Sequence, residues 1–444
     1  MNTKQPNQPF DIIVIGGGVA GSCAAIRLAQ LFNSAVASWR KILVIDERTM
    51  NVEMFKVGES LPGEAKPTLQ SLGVLDDVNN DAMEGKHHFC HGNSSAWGSD
   101  DLIGTDTIFN AYGDGFHLDR RLFEETLLKI AMLQHSQFIT IMRGSKVIDL
   151  YISKDIDQRD KCWKVTVTNV ESSHTNQIYG NILIDASGRR CCIRKSLPEL
   201  KRCSFDKLLA FVCLYETDYD NNSSKIHSTN LDHRTLVESC AFGWWYTSLL
   251  PSKQRIVVFH TDDDLLHQIN RKIRLVDEFD EFMKETAAHT AKYISEHLYR
   301  PIGKRVICMP ANSARLSQFG RVPKFYHASN RINIQHKLDF KSASYENRWI
   351  VIGDSAISFD PLSSQGMLTA MSSAKLGAEA IFFQYFNGGT KNEGKIIQPL
   401  EVYLKYIENT FQRYVREKRF FYNKEQRWNN EMFWKRRLED HTEM

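Results

Sequence analysis

The chain has 444 residues, more than a single hydrophobic core usually serves, so two or three sub-domains are expected. With 42% hydrophobic and 25% charged residues it has the composition of an ordinary soluble protein, which excludes a disordered or fibrous chain. A net charge of +3 on 56 basic and 53 acidic side chains gives no electrostatic case for a nucleic-acid partner, and none is expected. Nine cysteines, an odd number without a Cys-x-x-Cys pair, do not suggest a disulfide framework; Cys191 and Cys192 read as reduced cytosolic thiols. The longest uncharged stretch, Ile12 to Ile26, is interrupted by glycines and too short to span a membrane, and its flanks do not suit a signal peptide. A cytoplasmic protein without a membrane partner is therefore expected.

In chain order, Asp11 to Glu47 reads as a βαβ unit. An apolar run, Ile12 to Ile15, ends at Gly16, Gly18 and Gly21, a helical pattern follows, and a second apolar run, Ile42 to Ile45, stops at Asp46 and Glu47. In such a unit the first glycine permits a tight turn, the second lets a pyrophosphate approach the backbone, and the third lets the helix pack on the strand. The free N–H groups of the helix N-terminus face the phosphates, and Asp46 is placed to accept the ribose hydroxyls. This unit alone fits NAD or FAD.

A turn-rich phrase, Lys56-Val57-Gly58-Glu59-Ser60-Leu61-Pro62, then suggests a loop laid against a ligand, and a helical pattern runs on to Leu75. Short strands and loops are expected from Phe89 to Phe116, and a helix from Leu122 to Leu133 with Asp119 as its N-cap. Lys146 to Leu150 and Lys164 to Val170 alternate as an antiparallel pair. Ile182 to Asp185 reads as a buried strand ended by Ala186-Ser187-Gly188-Arg189. From Phe205 to Phe340 alternation dominates, with one helical interval from Leu265 to Leu298 and a distinctive phrase, Gly243-Trp244-Trp245-Tyr246. A returning strand ends at Gly353-Asp354, Phe359-Asp360-Pro361 to Gly366 leads into a small-residue helix, and Tyr403 to Arg437 is helical, aromatic and basic.

A carboxylate at a strand end, such as Asp354, can accept hydrogen bonds from a ribityl chain, while the N-terminus of the next helix faces an electron-rich ring edge. Together with the N-terminal unit, this describes FAD better than NAD. Asp185 to Arg189 fits a third wall of the same site, and Arg120 a contact to the pyrophosphate. No second glycine-rich fingerprint occurs, so electrons must come from a transiently bound pyridine nucleotide or a partner reductase. His87-His88-Phe89-Cys90-His91, read as a strand, puts His87 and His91 on one side and His88 and Cys90 on the other, which leaves a metal without four ligands; none is expected. Asp262-Asp263-Asp264 reads as a solvated acidic turn, and the basic C-terminal region as a helical cover packed on the body.

The Gly16-x-Gly18-x-x-Gly21 turn, the Gly58-Glu59-Ser60-Leu61-Pro62 loop, Asp185 to Arg189, Gly353-Asp354 and Asp360-Pro361-Leu362 to Gly366 together resemble the single-component aromatic hydroxylase and flavin-dependent tryptophan halogenase superfamily. The likeness covers most of residues 9 to 390. Ser95-Ala96-Trp97-Gly98, His117-Leu118-Asp119-Arg120, Gly243 to Tyr246, and Arg427-Trp428 to Phe433-Trp434 are similar to a narrower group. These are the halogenase-like flavoproteins that mature tryptophylquinone enzymes, as in lysine and glycine oxidases and quinohemoprotein amine dehydrogenase.

The resemblance implies FAD, O2 and a flavin C4a-hydroperoxide that oxygenates an aromatic ring; for the narrower group the ring is a tryptophan side chain in a precursor quinoenzyme polypeptide. It also implies a cofactor site built from Gly16, Gly18, Gly21, Asp46, Glu47, Ser60, Arg120, Asp185, Gly188, Gly353, Asp354, Pro361, Ser363, Ser364 and Gly366. Trp97, Trp244 and Trp245 are expected as aromatic walls, Gln365 beside the ring, and Glu59 or His117 as general base. Halogenases carry a lysine that is missing from His91 to Trp97 here, Lys86 being displaced. Their Trp-x-Trp-x-Ile-Pro phrase is replaced by Trp244-Trp245-Tyr246, and Gln365 stands where they favour threonine. Hydroxylation is therefore favoured. The rivals are halogenation or hydroxylation of a small aromatic, and a non-catalytic maturation chaperone.

The expected fold class is α/β: a Rossmann-like FAD-binding domain of the aromatic hydroxylase type with an antiparallel-sheet substrate domain and a helical C-terminal segment. The corresponding ranges are 1–90, 117–200 and 345–390 for the first, 91–116 and 201–344 for the second, and 391–444 for the third.

Overall fold

A computed structural model describes residues 9–35, 40–49, 56–153, 162–198, 200–217, 233–269, 272–316, 348–387, 390–392 and 395–438. The expected α/β class is observed. A seven-stranded sheet runs in the order Ile139–Met142, Ile42–Ile45, Phe10–Ile15, Thr175–Asp185, Cys162–Asn169, Ser145–Ser153, with Trp349–Val351 added beside Thr175–Asp185. The strands at 10–15, 42–45, 139–142, 175–185 and 349–351 are parallel, and all four residues of Ile42–Ile45 are buried, as expected of a sheet covered on both faces. The expected pair at 146–150 and 164–170 is antiparallel, with a register shift at Thr166/Val167. The helices Val19–Ser34 and Gly366–Tyr385 pack together on this sheet, and their small residues, among them Ala24, Ala374 and Ala378, let the backbones approach.

The eight-stranded sheet has the order Tyr299–Pro301, Leu208–Thr217, Arg255–Asp262, Gly243–Leu249, Thr235–Cys240, Gly92–Ala96, Ile103–Asp106, with Ile307–Pro310 also on Leu208–Thr217. Alternation along each strand sends successive side chains to opposite faces. On one face Trp245, Phe259 and Val257 pack against the helix Val276–Thr286; on the other, Trp244, Val258 and Ile256 join Tyr422, Phe433 and Trp434 of the C-terminal helices Pro399–Lys424 and Met432–Leu438. A small sheet of Ser60–Leu61, Gly115–Leu118 and His87–Cys90 lies between Gly58 and the start of helix Arg120–Gln134. That helix is capped as expected: the Asp119 carboxylate accepts from Leu122 N at 2.9 Å.

The helical interval at 265–298 is divided into a 3-10 turn, Asp263–Gln268, and helices Val276–Thr286 and Ala288–Glu296; the chain leaves the helical region at Ala287, φ −139°. The part of the alternating region from 317 to Phe340 lies outside the described residues. The acidic turn is not solvated throughout: Asp262 is buried and takes two bonds from Arg437, at 3.1 and 2.8 Å, while Asp264 pairs with Lys207 and Arg436. The histidine run also differs from expectation. The strand ends at Cys90, so His91 escapes the alternation, and both His88 and His91 rings approach His233, at 4.9 and 6.1 Å. No group of metal-ligating side chains occurs among the described residues, and none of their helices is long and apolar enough to cross a membrane.

Candidate functional site

The glycine turn is built as close approach demands. Gly16 has φ +105°, and a Cβ there would meet Ala186 O at 2.4 Å; a Cβ on Gly21 would meet Gly16 O at 1.8 Å. Gly18 differs: the nearest atom to its Cβ position is Glu124 Oε2, 3.9 Å away, so this side of the turn is open. Gly18 also begins the helix Val19–Ser34 without a side-chain cap, leaving N–H donors there without helical partners. Around the opening stand three cations that share one buried carboxylate. Lys56 Nζ lies 2.5 and 2.7 Å from the two Glu124 oxygens, Arg48 Nη1 2.5 Å and Arg120 Nη2 2.8 Å. Burial opposes ionisation of Glu124, yet Lys56, Arg120 and Arg48 together hold its carboxyl below the ordinary range. Burial conversely lowers the Lys56 ammonium.

Arg48 also takes up the Asp46 carboxylate, at 2.8 Å from Nη2 and 3.0 Å from Nε, and donates to Gly17 O at 2.7 Å. Glu47 pairs instead with Arg190 and with Lys146 at 3.7 Å. Asp185 is a correction: its Oδ1 accepts from Ser187 N, Ser187 Oγ and Ser355 Oγ and its Oδ2 from Ile193 N, so this buried carboxylate organises the surrounding loops rather than facing a ligand. Gly188 borders open space, with nothing within 4 Å of its Cβ position. Gly353 N donates to Ser373 Oγ at 2.9 Å, and the neighbouring Asp354 carboxylate remains 39% exposed, 3.6 Å from Arg189 Nε.

The Gly58–Leu61 loop ties this end of the molecule to the second sheet. Arg120 Nη1 donates to Val57 O and Gly58 O, at 3.1 and 2.8 Å, and Glu59 O accepts from Leu118 N at 2.9 Å. Glu59 is 2% exposed. Its Oε1 accepts from Ser248 Oγ at 2.5 Å and from Tyr246 OH, whose oxygen lies 2.8 Å from Ser60 Oγ. Burial, then the Glu59 charge, pushes the Tyr246 phenol well above its ordinary range. The sequence phrase drew attention to Trp244 and Trp245, but it is Tyr246 and Ser248 that reach the loop; they alternate in step with Trp244, a signal already present in the strand pattern.

At the far side, Asp360 N-caps the turn Pro361–Ser363 through Leu362 N, at 3.0 Å, and Ser363 Oγ donates to Asp360 O. Ser364 takes φ +48°, and Gly366 opens the helix Gly366–Tyr385, whose first turn has no side-chain cap. Asp360 is buried against the C-terminal helix: Tyr414 OH accepts from Asp360 N at 3.1 Å, Tyr422 OH donates to Asp360 Oδ2 at 2.7 Å, and Lys418 Nζ lies 3.8 Å away. Leu362, Val57 and Tyr246 pack against one apolar cluster with Trp244 and Trp434, which brings loop, seam and second sheet together.

Several expected wall residues fall elsewhere. Trp245 lies on the opposite face, its ring N–H donating to Thr286 Oγ1 at 3.1 Å. Trp244 is stacked on His260, 3.7 Å between centroids, and donates to Tyr422 OH; Trp97 donates to Phe421 O and packs edge-on against Trp434. These indoles hold the sheet to the C-terminal helices because both are apolar surfaces that need cover. Gln365 turns its amide to Glu417 Oε2, at 3.1 Å. His117 does not fit a general base. It is fully buried, with Nε2 3.1 Å from Thr235 Oγ1, and burial followed by the Arg255 charge pushes its pKa down to about 3. Lys86 is 46% exposed and held by Asp81 and Glu84.

Burial likewise lowers His260 to about 3. Both imidazoles fold neutral, whereas in the unfolded chain they titrate near 6.5. Their contribution to stability is thus complete above that value and declines as pH falls towards 3, by up to about 2.7 kcal/mol per pH unit for two protons. Urea unfolding at a series of pH values should show this slope. His260→Phe, which preserves the stack on Trp244, should reduce it by about one proton; an unchanged slope would count against a neutral His260.

The structure thus sets a glycine-rich strand-to-helix turn in the first sheet and a buried Glu59 carboxylate where the Gly58–Leu61 loop meets the second. No protein-family model matches the chain. It is similar to LodB of Marinomonas mediterranea, named an FAD-dependent oxidoreductase, with 25% identity over 97% of each chain. Among solved structures it superposes on the myxobacterial chondrochloren halogenase CndH with a TM-score of 0.72 and 18% identity, covering 98% of this chain and 87% of that one. It superposes also on QhpG, a peptidyl tryptophan dihydroxylase essential for tryptophylquinone cofactor biogenesis, with a TM-score of 0.62 and 18% identity, covering 97% and 79%. The chain has the fold of the FAD-dependent halogenases and monooxygenases, and the superfamily read from its sequence is borne out.

The residues present fit FAD: an open Gly18 at an uncapped helix start with cations beside it, an accessible Asp354 carboxylate, and a second uncapped helix at Gly366.

Proposed function

We propose that the chain is an FAD-dependent monooxygenase that hydroxylates a tryptophan side chain of a partner polypeptide during tryptophylquinone biogenesis. The observation that carries the reading is the buried Glu59 carboxylate, held by two hydroxyls in the seam between the two sheets. FAD, when bound and reduced by a pyridine nucleotide or a partner reductase, supplies activation of O2. In this reading Gly18, the start of the Val19 helix, Arg48, Lys56 and Arg120 bind the pyrophosphate, and Asp354 accepts from the ribityl hydroxyls. Pro361, Ser363 and Ser364 shape the loop beside the ring, and Trp244, Val258 and Leu362 keep water from the seam. Glu59 accepts the proton released from the substrate ring.

The likeness to LodB over nearly the whole length, and to QhpG, supports a peptidyl tryptophan as substrate. Halogenation is less favoured, because Lys86 is engaged at the surface by Asp81 and Glu84. Co-expression with a quinoenzyme precursor should add the mass of oxygen to a tryptophan in that precursor. An unchanged precursor, with turnover of a free small aromatic, would overturn the protein-substrate part of the reading. A partner bound tightly with no oxygen-dependent turnover would indicate a chaperone.

A further inference from the structure

Glu59 is an unusual buried carboxylate. No lysine, arginine or histidine pairs with it among the described residues, and the nearby cations Lys56 and Arg120 are engaged with Glu124. Both hydrogen bonds it receives fall on Oε1, from Tyr246 and Ser248, whereas Oε2 has no partner among the described residues. A carboxylate needed only to stabilise the loop would be expected to use both oxygens. The two donors lie two residues apart on one strand, Gly243–Leu249, so they act from the same face, and Ser60 sets the Tyr246 hydroxyl from the loop itself. Opposite Ser60 in the ladder stands His117, neutral and bonded to Thr235, which adds no charge to the seam.

We infer that Tyr246 and Ser248 are positioning residues that pin Oε1 of Glu59 so that Oε2 is presented to the substrate ring as the proton acceptor. In that step the C–H bond at the oxygenated ring carbon breaks, its electron pair restores aromaticity, and the proton goes to Glu59 Oε2. The inference rests on the proposed ring hydroxylation.

A hydrogen bond donated to one oxygen of a carboxylate polarises its two C–O bonds unequally, so removing a donor changes its stretching frequencies. Isotope-edited infrared spectra of the FAD-loaded full chain at a single pH test this without any substrate, the Glu59 carboxylate band being assigned by its loss in Glu59→Gln. In Tyr246→Phe the antisymmetric carboxylate band should shift from its position in the parent, because one of the two hydrogen bonds on Oε1 is lost. Ser248→Ala should shift it in the same direction and Ser248→Thr, which keeps the hydroxyl, should not. Flavin absorbance confirms that the variants fold and bind. A band that stays in place in both Tyr246→Phe and Ser248→Ala overturns the inference whatever the substrate proves to be. Shifted bands with no oxygen on any partner tryptophan would overturn the hydroxylation reading and leave the Tyr246–Ser248 clamp standing.

Discussion

Gly18→Ala is expected to leave the fold intact and lower FAD affinity about 100-fold, or about 2.7 kcal/mol. Gly18 sits at φ −73°, ψ −169°, which any residue adopts, and an added methyl would touch only Glu124 Oε2, at 3.9 Å. Its cost should therefore fall on whatever approaches the open side of the turn. Gly21→Ala makes the contrast: its methyl would stand 1.8 Å from Gly16 O and 3.3 Å from Val14 Cγ1, so the helix must leave the strand and folding itself should fail. Near-ultraviolet circular dichroism separates the two variants, and quenching of FAD fluorescence measures binding. A Gly18→Ala chain that binds FAD as tightly as the parent would show that no phosphate lies against this turn.

The second large effect concerns the C-terminal helix. Lys418 Nζ lies 2.6 Å from Asp206 Oδ2 and 3.8 Å from Asp360 Oδ2, and both carboxylates are largely buried. Lys418→Met leaves two neighbouring anions without their cation, which should cost about 3 to 5 kcal/mol. Burial already raises the Asp360 pKa, with Lys418 opposing and Asp206 adding to the rise. Without Lys418 the folded state holds the Asp360 proton more tightly than the unfolded chain does. The stability deficit should therefore grow as pH rises above about 4, the ordinary aspartate value, and shrink below it. Asp206→Asn on the same background should recover part of the loss. Equal urea midpoints for parent and Lys418→Met would show that this network does not fasten the helix to the Asp360 loop.

The parallel sheet was legible because its strands are continuous apolar runs ended by glycine or aspartate, a pattern set by burial on both faces. Gly16, Gly18 and Gly21 were legible for a related reason, since only close backbone approach calls for three small residues at that spacing. The partners of Glu124 were not. Arg48 and Lys56 flank different strands and come together only when the chain folds, so no local spacing announces them. Asp185 read as a ligand-facing carboxylate because strand-end acids often are; its four loop donors are contacts within one turn and with Ser355, 170 residues on. Trp245 shows the limit of composition. A Trp-Trp pair in a strand must split between faces, and which face meets the Gly58–Leu61 loop depends on sheet pairing with Thr235–Cys240 and Arg255–Asp262 rather than on the phrase itself. The same alternation made Tyr246 and Ser248 available to Glu59.

The most direct test of the whole account is a single turnover under isotopic oxygen. The FAD-loaded chain, reduced anaerobically, is mixed with a quinoenzyme precursor and 18O2 in a buffer containing bromide, and the tryptophan-bearing peptides are weighed by mass spectrometry. The account predicts 18O on a precursor tryptophan, no bromine, and loss of the label with Glu59→Gln. Bromine in place of oxygen, or a precursor returned unmodified while the reduced flavin is oxidised, would contradict it.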